Sequence, residues 1–363
     1  MSLPNLRRMV LALLPALLLL SGCLGNVAPP PILPTPTPQQ PPLPPVGGRI
    51  AFVSDRDNTR RLRLIDPDGS REMALLPDKT VAGAPTWSPN GRRIALGIDD
   101  GKNTQIMVVI VNDDNTPGLS ATLTANTGNS TSPAWSPDGA TLAFQSDRTG
   151  SYQIYTMPAA GGSPSFFSNQ PAFAGGPAWS PDGKMLAFAG GPDAAHTELW
   201  TVPAAGGSPT QITSNGRAAA RPIWTADQSL LFELATPSGK HNIAEIRPDG
   251  TGQRELTTGD QEDLAPALSP DGKSIAFFSD RTHNNDVFVM DRAGTTVTNL
   301  TNSEAGDTSP SWAPDSSRVV FSSNRDGAGY RLYIVAPDSS HLTPLTQGDS
   351  GYDDTFPAWS MGK

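Results

Sequence analysis

From residue 48 onward the chain runs in short segments in which apolar and polar positions alternate, separated by clusters of Gly, Pro, Asp, Asn and Ser. TLAFQS (141–146) and YQIYTM (152–157) have the two-residue period of a strand with one buried face, and SDRTG between them has turn residues. In PDG (137–139) the proline presets φ, the aspartate can bond nearby backbone and the glycine suits a left-handed position. SPAWS before it therefore reads as a first short strand, and AAGGSP (159–164) leads into a fourth. The 35 glycines and 37 prolines among 363 residues are too many turn formers for long helices. The pattern predicts an all-β chain.

The unit recurs. Its tryptophan or equivalent stands at Trp87, Trp135, Trp179, Trp224, Leu268, Trp312 and Trp359, and an apolar triplet begins at 50, 94, 142, 186, 230, 275 and 319. A period of about 44 residues, with four short strands per unit, is that of a propeller blade. Each marker occurs seven times, but the first triplet has no Trp strand before it and the last Trp strand, FPAWS (356–360), has no triplet after it. Both deficits vanish if the C-terminal strand completes blade one. The expectation is a seven-bladed β-propeller of four-stranded blades, its ring closed between the chain ends so that no sheet edge is left open.

The first 47 residues are built differently. Arg7 and Arg8 precede the apolar run MVLALLPALLLL (9–20), which is too short for a permanent membrane helix, and Ser21, Gly22 and Cys23 follow. LSGC (20–23) resembles the lipobox of bacterial lipoproteins, which implies cleavage after residue 22 and lipidation of Cys23, the only cysteine in the chain. PPPILPTPTPQQPPLPP (29–45) is an uncharged polyproline-II spacer of roughly 50 Å at about 3.1 Å per residue. Three regions are expected: a signal peptide (1–22), a lipidated tether (23–47) and the propeller (48–363). The product would be an exported, membrane-anchored lipoprotein on the periplasmic or cell-surface side.

Composition narrows the partners. Without residues 1–22 the chain has 24 Lys and Arg against 35 Asp and Glu, a balance that repels nucleic acid and anionic headgroups. A monomer is expected, and stability must come from packing because no disulfide can form within the chain.

The residues PAWSPDGATLAFQSDRTGSYQIYTM (133–157) resemble the TolB-type, WD-like propeller repeat, whose pattern is close to PxWSPDGxxIAFxSDRDGxxxIYxMxxDG. The resemblance covers about 310 residues in register. It implies a propeller that docks proteins of the cell envelope. The family's typical member has six blades, a separate N-terminal α/β domain and a soluble periplasmic form. Here seven blades are counted, no segment is expected to form that domain, and LSGC resembles a lipobox.

No GxSxG, HExxH, P-loop or GxGxxG after a strand is present, so no catalytic residue and no cofactor is assigned. His196, His241 and His283 follow the second strand in three successive blades and are read as solvated loop residues. Five residues before the Trp position stand Ala82, Ser130, Ala174, Ala219, Asp263, Asp307 and Asp354. The three aspartates, with Glu262 and Asp353, are expected to form an acidic arc at the channel mouth, suited to a basic segment of an envelope protein or peptide, or to a channel cation such as calcium. Ser-Asp-Arg (54–56, 146–148, 279–281, with Ser-Asn-Arg at 323–325) is read as a turn held by its own Asp/Arg pair. Binding residues are expected where the repeat breaks, in loops 97–104, 189–198 and 233–242. The rival reading is a metal-dependent or acid/base lyase or hydrolase acting on envelope or extracellular polysaccharide, using the histidines and the arc.

Overall fold

The computed structural model describes residues 44–361, apart from 126–127, 168–170, 328 and 349–350. The expected signal peptide, Cys23 and most of the tether lie outside the described residues. Among those described, 28 strands form seven four-stranded antiparallel sheets, and there is no helix.

Blade 1 combines the C-terminal strand Asp354–Trp359 with Ile50–Ser54, Arg61–Ile65 and Met73–Ala74. Blades 2 to 7 follow in chain order, with inner strands Thr80–Trp87, Ser130–Trp135, Phe173–Trp179, Ala219–Trp224, Asp263–Leu268 and Asp307–Trp312. The predicted closure is present: Ile50 pairs with Trp359 and Ser54 with Asp354. Arg49 N donates to Ser360 Oγ at 2.8 Å and Ser360 N returns a bond to Arg49 O at 2.8 Å. These contacts tie the two ends of the propeller together.

The second strand of each blade packs between the two neighbouring blades: in blade 1, Ile50 and Phe52 cluster with blade 7 and Ala51 and Val53 with blade 2. The third residue of the triplet is buried in every blade, as Phe52, Leu96, Phe144, Phe188, Phe232, Phe277 and Phe321. Burying a side chain of this size stabilises by about 1.5–3 kcal/mol relative to leaving it in water. No blade could bury that surface alone, because the facing residues belong to its neighbour: Phe321, for instance, lies in one cluster with Ala276 and Val289 of blade 6.

The repeated tryptophan has a specific task between blades. Each indole Nε1 donates to a backbone carbonyl of the preceding inner strand: Trp87 to Ala358 (2.8 Å), Trp135 to Thr86 (3.1 Å), Trp179 to Ala134 (3.2 Å), Trp224 to Ala178 (3.1 Å) and Trp312 to Ala267 (2.9 Å). Trp359, at the seam, donates to Gly47 O at 3.1 Å instead. Blade 6, with Leu268, lacks this staple. The last residues of the predicted tether are thus part of the fold, since Val46 also packs on the core between blades 7 and 1.

Candidate functional site

Each inner strand begins on the face that also bears the turn between the second and third strands, as the pairing of Asp263 with Ser279 at that turn illustrates. Asp263, Asp307 and Asp354 all stand at this start, where the sequence placed them, but all three are 0% exposed. Arg281 Nη2 lies 2.8 Å from Asp263 Oδ1. Arg325 Nη2 reaches both oxygens of Asp307 at 3.0 and 3.1 Å, and Arg56 Nη2 reaches both of Asp354 at 3.0 and 2.9 Å across the seam. The expected open acidic arc is therefore corrected: the carboxylates are buried, and a buried carboxylate needs a partner charge or it costs several kcal/mol. For Arg56, burial alone would lower the pKa, but Asp354 and Glu72 overcome that pull and hold it above the ordinary arginine value.

The Ser-Asp-Arg turn is corrected with it. In blades 1, 6 and 7 its arginine bonds the inner-strand aspartate rather than the aspartate beside it, while its Nε donates to the turn serine, at 3.0 Å for Ser54, 2.9 Å for Ser279 and 2.8 Å for Ser323. The turn aspartate instead accepts from the residue just before the inner strand: Asp280 from Glu262 N at 2.8 Å, Asp55 from Asp353 N at 2.6 Å, Asp147 from Asn129 N at 2.5 Å. Asn324 does the same for Gly306 N at 2.7 Å. The two acidic signals of the sequence are one fastening seen from its two ends.

Glu262 and Asp353 serve local contacts. Glu262 Oε1 lies 2.6 Å from His241 Nδ1, and Asp353 Oδ1 accepts from Tyr330 N at 2.9 Å. His196 Nδ1 is 2.8 Å from Asp193 Oδ1 within its own loop. His283 sits at φ 82° in the turn of blade 6. No group of three or more His, Cys, Asp or Glu among the described residues could hold a metal ion.

The sequence reading missed the channel wall. All seven inner strands have a register shift near their middle, and at it one residue takes a left-handed backbone: Gly83, Ser132, Gly176, Arg221, Ala265, Ser309 and Phe356. In six blades this residue directly precedes a proline, where extended backbone is preferred. Each non-glycine there carries a strain of about 1 kcal/mol or more. The bulge turns that residue toward the axis. A cavity of about 580 Å³ results, walled by inner-strand residues of blades 1, 2, 5, 6 and 7, including Pro266, Pro310, Pro357, Phe356 and Arg221. A second, of about 530 Å³, is walled by blades 2, 3 and 4 and shares Ala84 and Pro85 with the first. The available signal was the residue before the proline in each xPxW: two blades place a bulky side chain, Arg221 or Phe356, where the others place Gly, Ala or Ser.

Phe356 is 39% exposed, with the Arg60 guanidinium 5.6 Å from its ring centroid. Arg221 is 65% exposed, its Nε 3.6 Å from Glu233 Oε2. Glu233 is itself only 4% exposed and accepts from Ala265 N at 2.7 Å through Oε1. Burial pushes its carboxyl above the ordinary glutamate value, against the opposing pull of Arg221 and the Ala265 amide. Gln145 makes the same bond to Gly176 N at 2.9 Å in blade 3. The repeat-breaking segment 233–242 bears on this face: besides Glu233 and His241, Lys240 Nζ pairs with Asp280 Oδ2 at 2.7 Å.

Comparison with known proteins agrees with the propeller fold. The chain is 29% identical over 155 residues to the Tol-Pal system protein TolB of Bordetella pertussis, covering 31% of this chain and 35% of that one. The curated relatives it matches are thus spanned over about a third of their length or less. The crystal structure of TolB from Acinetobacter baumannii superposes with a TM-score of 0.55 at 20% identity, over 83% of this chain and 79% of that one. An oligogalacturonate lyase in complex with manganese does so at 0.61 and 16% identity, over 84% and 87%. Likenesses at that level of identity establish the fold alone. The sequence profile of the TolB beta propeller domain matches residues 45–264 and 262–362, nearly the whole described ring, and the chain belongs to the TolB β-propeller family.

Proposed function

We propose that this chain is a protein-binding propeller of the cell envelope, held at a membrane by lipid on Cys23 and engaging an envelope protein or peptide at its axial channel. The observation that carries the reading is Phe356: a large apolar side chain, partly exposed to the channel, in a left-handed conformation that glycine would adopt without strain. Strain combined with exposed apolar surface suits a residue kept for contact rather than for stability. Half of the residues lining the cavity are proline or alanine, which favours a preformed surface.

The test uses the full chain, immobilised and exposed to envelope extract, beside Phe356→Gly. The expected result is a discrete set of proteins retained by the wild type and lost by the variant, with the variant's melting temperature equal or higher. Retention of the same set by both would remove the channel from the binding site. The second reading, an acid/base enzyme on polysaccharide, draws on Glu233, a buried carboxyl raised above its ordinary value beside the cavity. It requires polysaccharide turnover that Glu233→Gln abolishes.

A further inference from the structure

Four blades carry the Ser-Asp-Arg or Ser-Asn-Arg turn, and in three of them the arginine is neutralised by the aspartate that starts the inner strand. Blade 3 keeps the arginine and has no such aspartate. Its inner strand starts at Ser130, and Arg148 Nη2 reaches Ser130 Oγ at 3.2 Å while Nε donates to Ser146 Oγ at 3.0 Å. The guanidinium rests 4.6 Å from the Tyr155 ring centroid and 5.3 Å from that of Phe144, as Arg325 rests on Tyr333 and Phe321.

The other acids near these arginines are missing from blade 3 as well. In blade 7 the tyrosine that underlies the arginine donates to Asp326 Oδ2 at 2.6 Å; in blade 3 its counterpart Tyr155 meets Thr149 Oγ1 at 3.2 Å. In blade 1 Arg56 has Glu72 at 2.5 Å besides Asp354, and Pro164 stands at the position of Glu72 along the outer strand. Asp147, adjacent in sequence, has one oxygen on Asn129 N at 2.5 Å and the other on Asn129 Nδ2 at 2.9 Å. Among the described residues no carboxylate pairs with Arg148, and burial lowers its pKa with only Tyr155 opposing. Arg148 nevertheless remains partly open to solvent, and Thr149 is exposed.

We infer that Arg148, with the hydroxyls of Thr149 and Tyr155 beside it, is a receptor for a carboxylate supplied by another molecule. A partly buried guanidinium stands here without a carboxylate, and a carboxylate placed on it can accept from Nη2 through both oxygens, as Asp354 does from Arg56 in the same fold. The carboxylate belongs to an acidic side chain or a chain terminus of the partner. This source rests on the protein-binding reading, whereas the site itself can be tested without any partner.

The experiment follows the Arg148 side-chain Nε–H resonance of the full chain during titration with sodium acetate, with sodium chloride at matched ionic strength as control. A saturable shift with acetate alone is expected. Ser130→Asp, which installs the carboxylate of blades 1, 6 and 7, should weaken acetate binding roughly tenfold or more. Arg148→Gln should abolish acetate binding measured by calorimetry, which covers the case in which Ser130→Asp folds poorly. N-acetylglycine binding more tightly than N-acetylaspartate α-amide assigns the ligand to a chain terminus, and the reverse order to a side chain. A non-saturable response, an equal response to chloride, or unchanged acetate affinity in both variants would overturn the inference, and it would do so whether or not the channel captures a protein.

Discussion

Blades 3 and 6 are built on one repeat, and each lacks a fastening that the other has. Blade 6 starts its inner strand with the buried Asp263–Arg281 pair and ends it at Leu268, with no indole to reach back to blade 5. Blade 3 starts at Ser130, leaves Arg148 without a carboxylate, and ends at Trp135, whose indole holds Thr86 O of blade 2. The ion pair locks a strand to its own blade on one face, and the indole staples neighbouring blades toward the other. Because the two devices act at opposite ends of the strand, the ring tolerates the loss of either one in a given blade. Where a fastening is absent, the residues left behind are free to meet something else.

The comparison is broken most severely at the seam. Asp354→Ala removes the buried carboxylate from Arg56 where the two chain ends meet, leaving Glu72 as its remaining partner, and should cost about 2 kcal/mol or more in chemical denaturation. A loss equal to that of an exposed surface substitution would show that the pair is not a fastening. Next in size, Ser130→Asp gives blade 3 the pair of blade 6 and should stabilise by about 1 kcal/mol, while Asp263→Ser makes blade 6 resemble blade 3 and should destabilise by more than that.

A third change sharpens the contrast between the two caps of the inner-strand bulge, Gln145 and Glu233. The Glu233 carboxyl is raised when folded, so between the ordinary glutamate value and the raised one the native state binds more protons than the unfolded state. Its contribution is therefore greatest at low pH and is lost as pH rises through that window. Glu233→Gln, which keeps an acceptor for Ala265 N, should be more stable than the wild type at neutral pH, with the difference vanishing in acid. A pH-independent difference would contradict the assignment. The smallest effect belongs to Leu268→Trp, which supplies the missing indole opposite Ile223 O and should stabilise by about 0.5–1 kcal/mol, provided the larger ring is accommodated.

Much of the fold was legible because its signals are local and repeated. Two-residue alternation, Pro-Asp-Gly turns and a period near 44 residues each report on neighbours along the chain, and the phase mismatch between two markers sufficed for the closure. The site was legible only in part. Asp263, Asp307 and Asp354 stood out correctly as a set, yet their burial could not be read, since the same carboxylate is written identically whether it faces water or an arginine. The left-handed ring was harder still, because xPxW gives no sign that the residue before the proline turns toward the axis.

By itself, then, the amino-acid sequence determined the strands, the number of blades and the joining of the ends, all of which follow from short-range pattern and from the need to bury alternate apolar residues. Tertiary structure decided which charges are spent and which are free. Arg56 finds Asp354 from 298 residues away, while Arg148, in the corresponding turn of blade 3, meets serine hydroxyls and two aromatic rings. Tertiary structure also placed Phe356 and Arg221 at the cavity through a bulge that exists only once the inner strand pairs with its neighbour. Pairing and burial are properties of segments that meet in space, and a side chain's charge state and availability follow from what it meets.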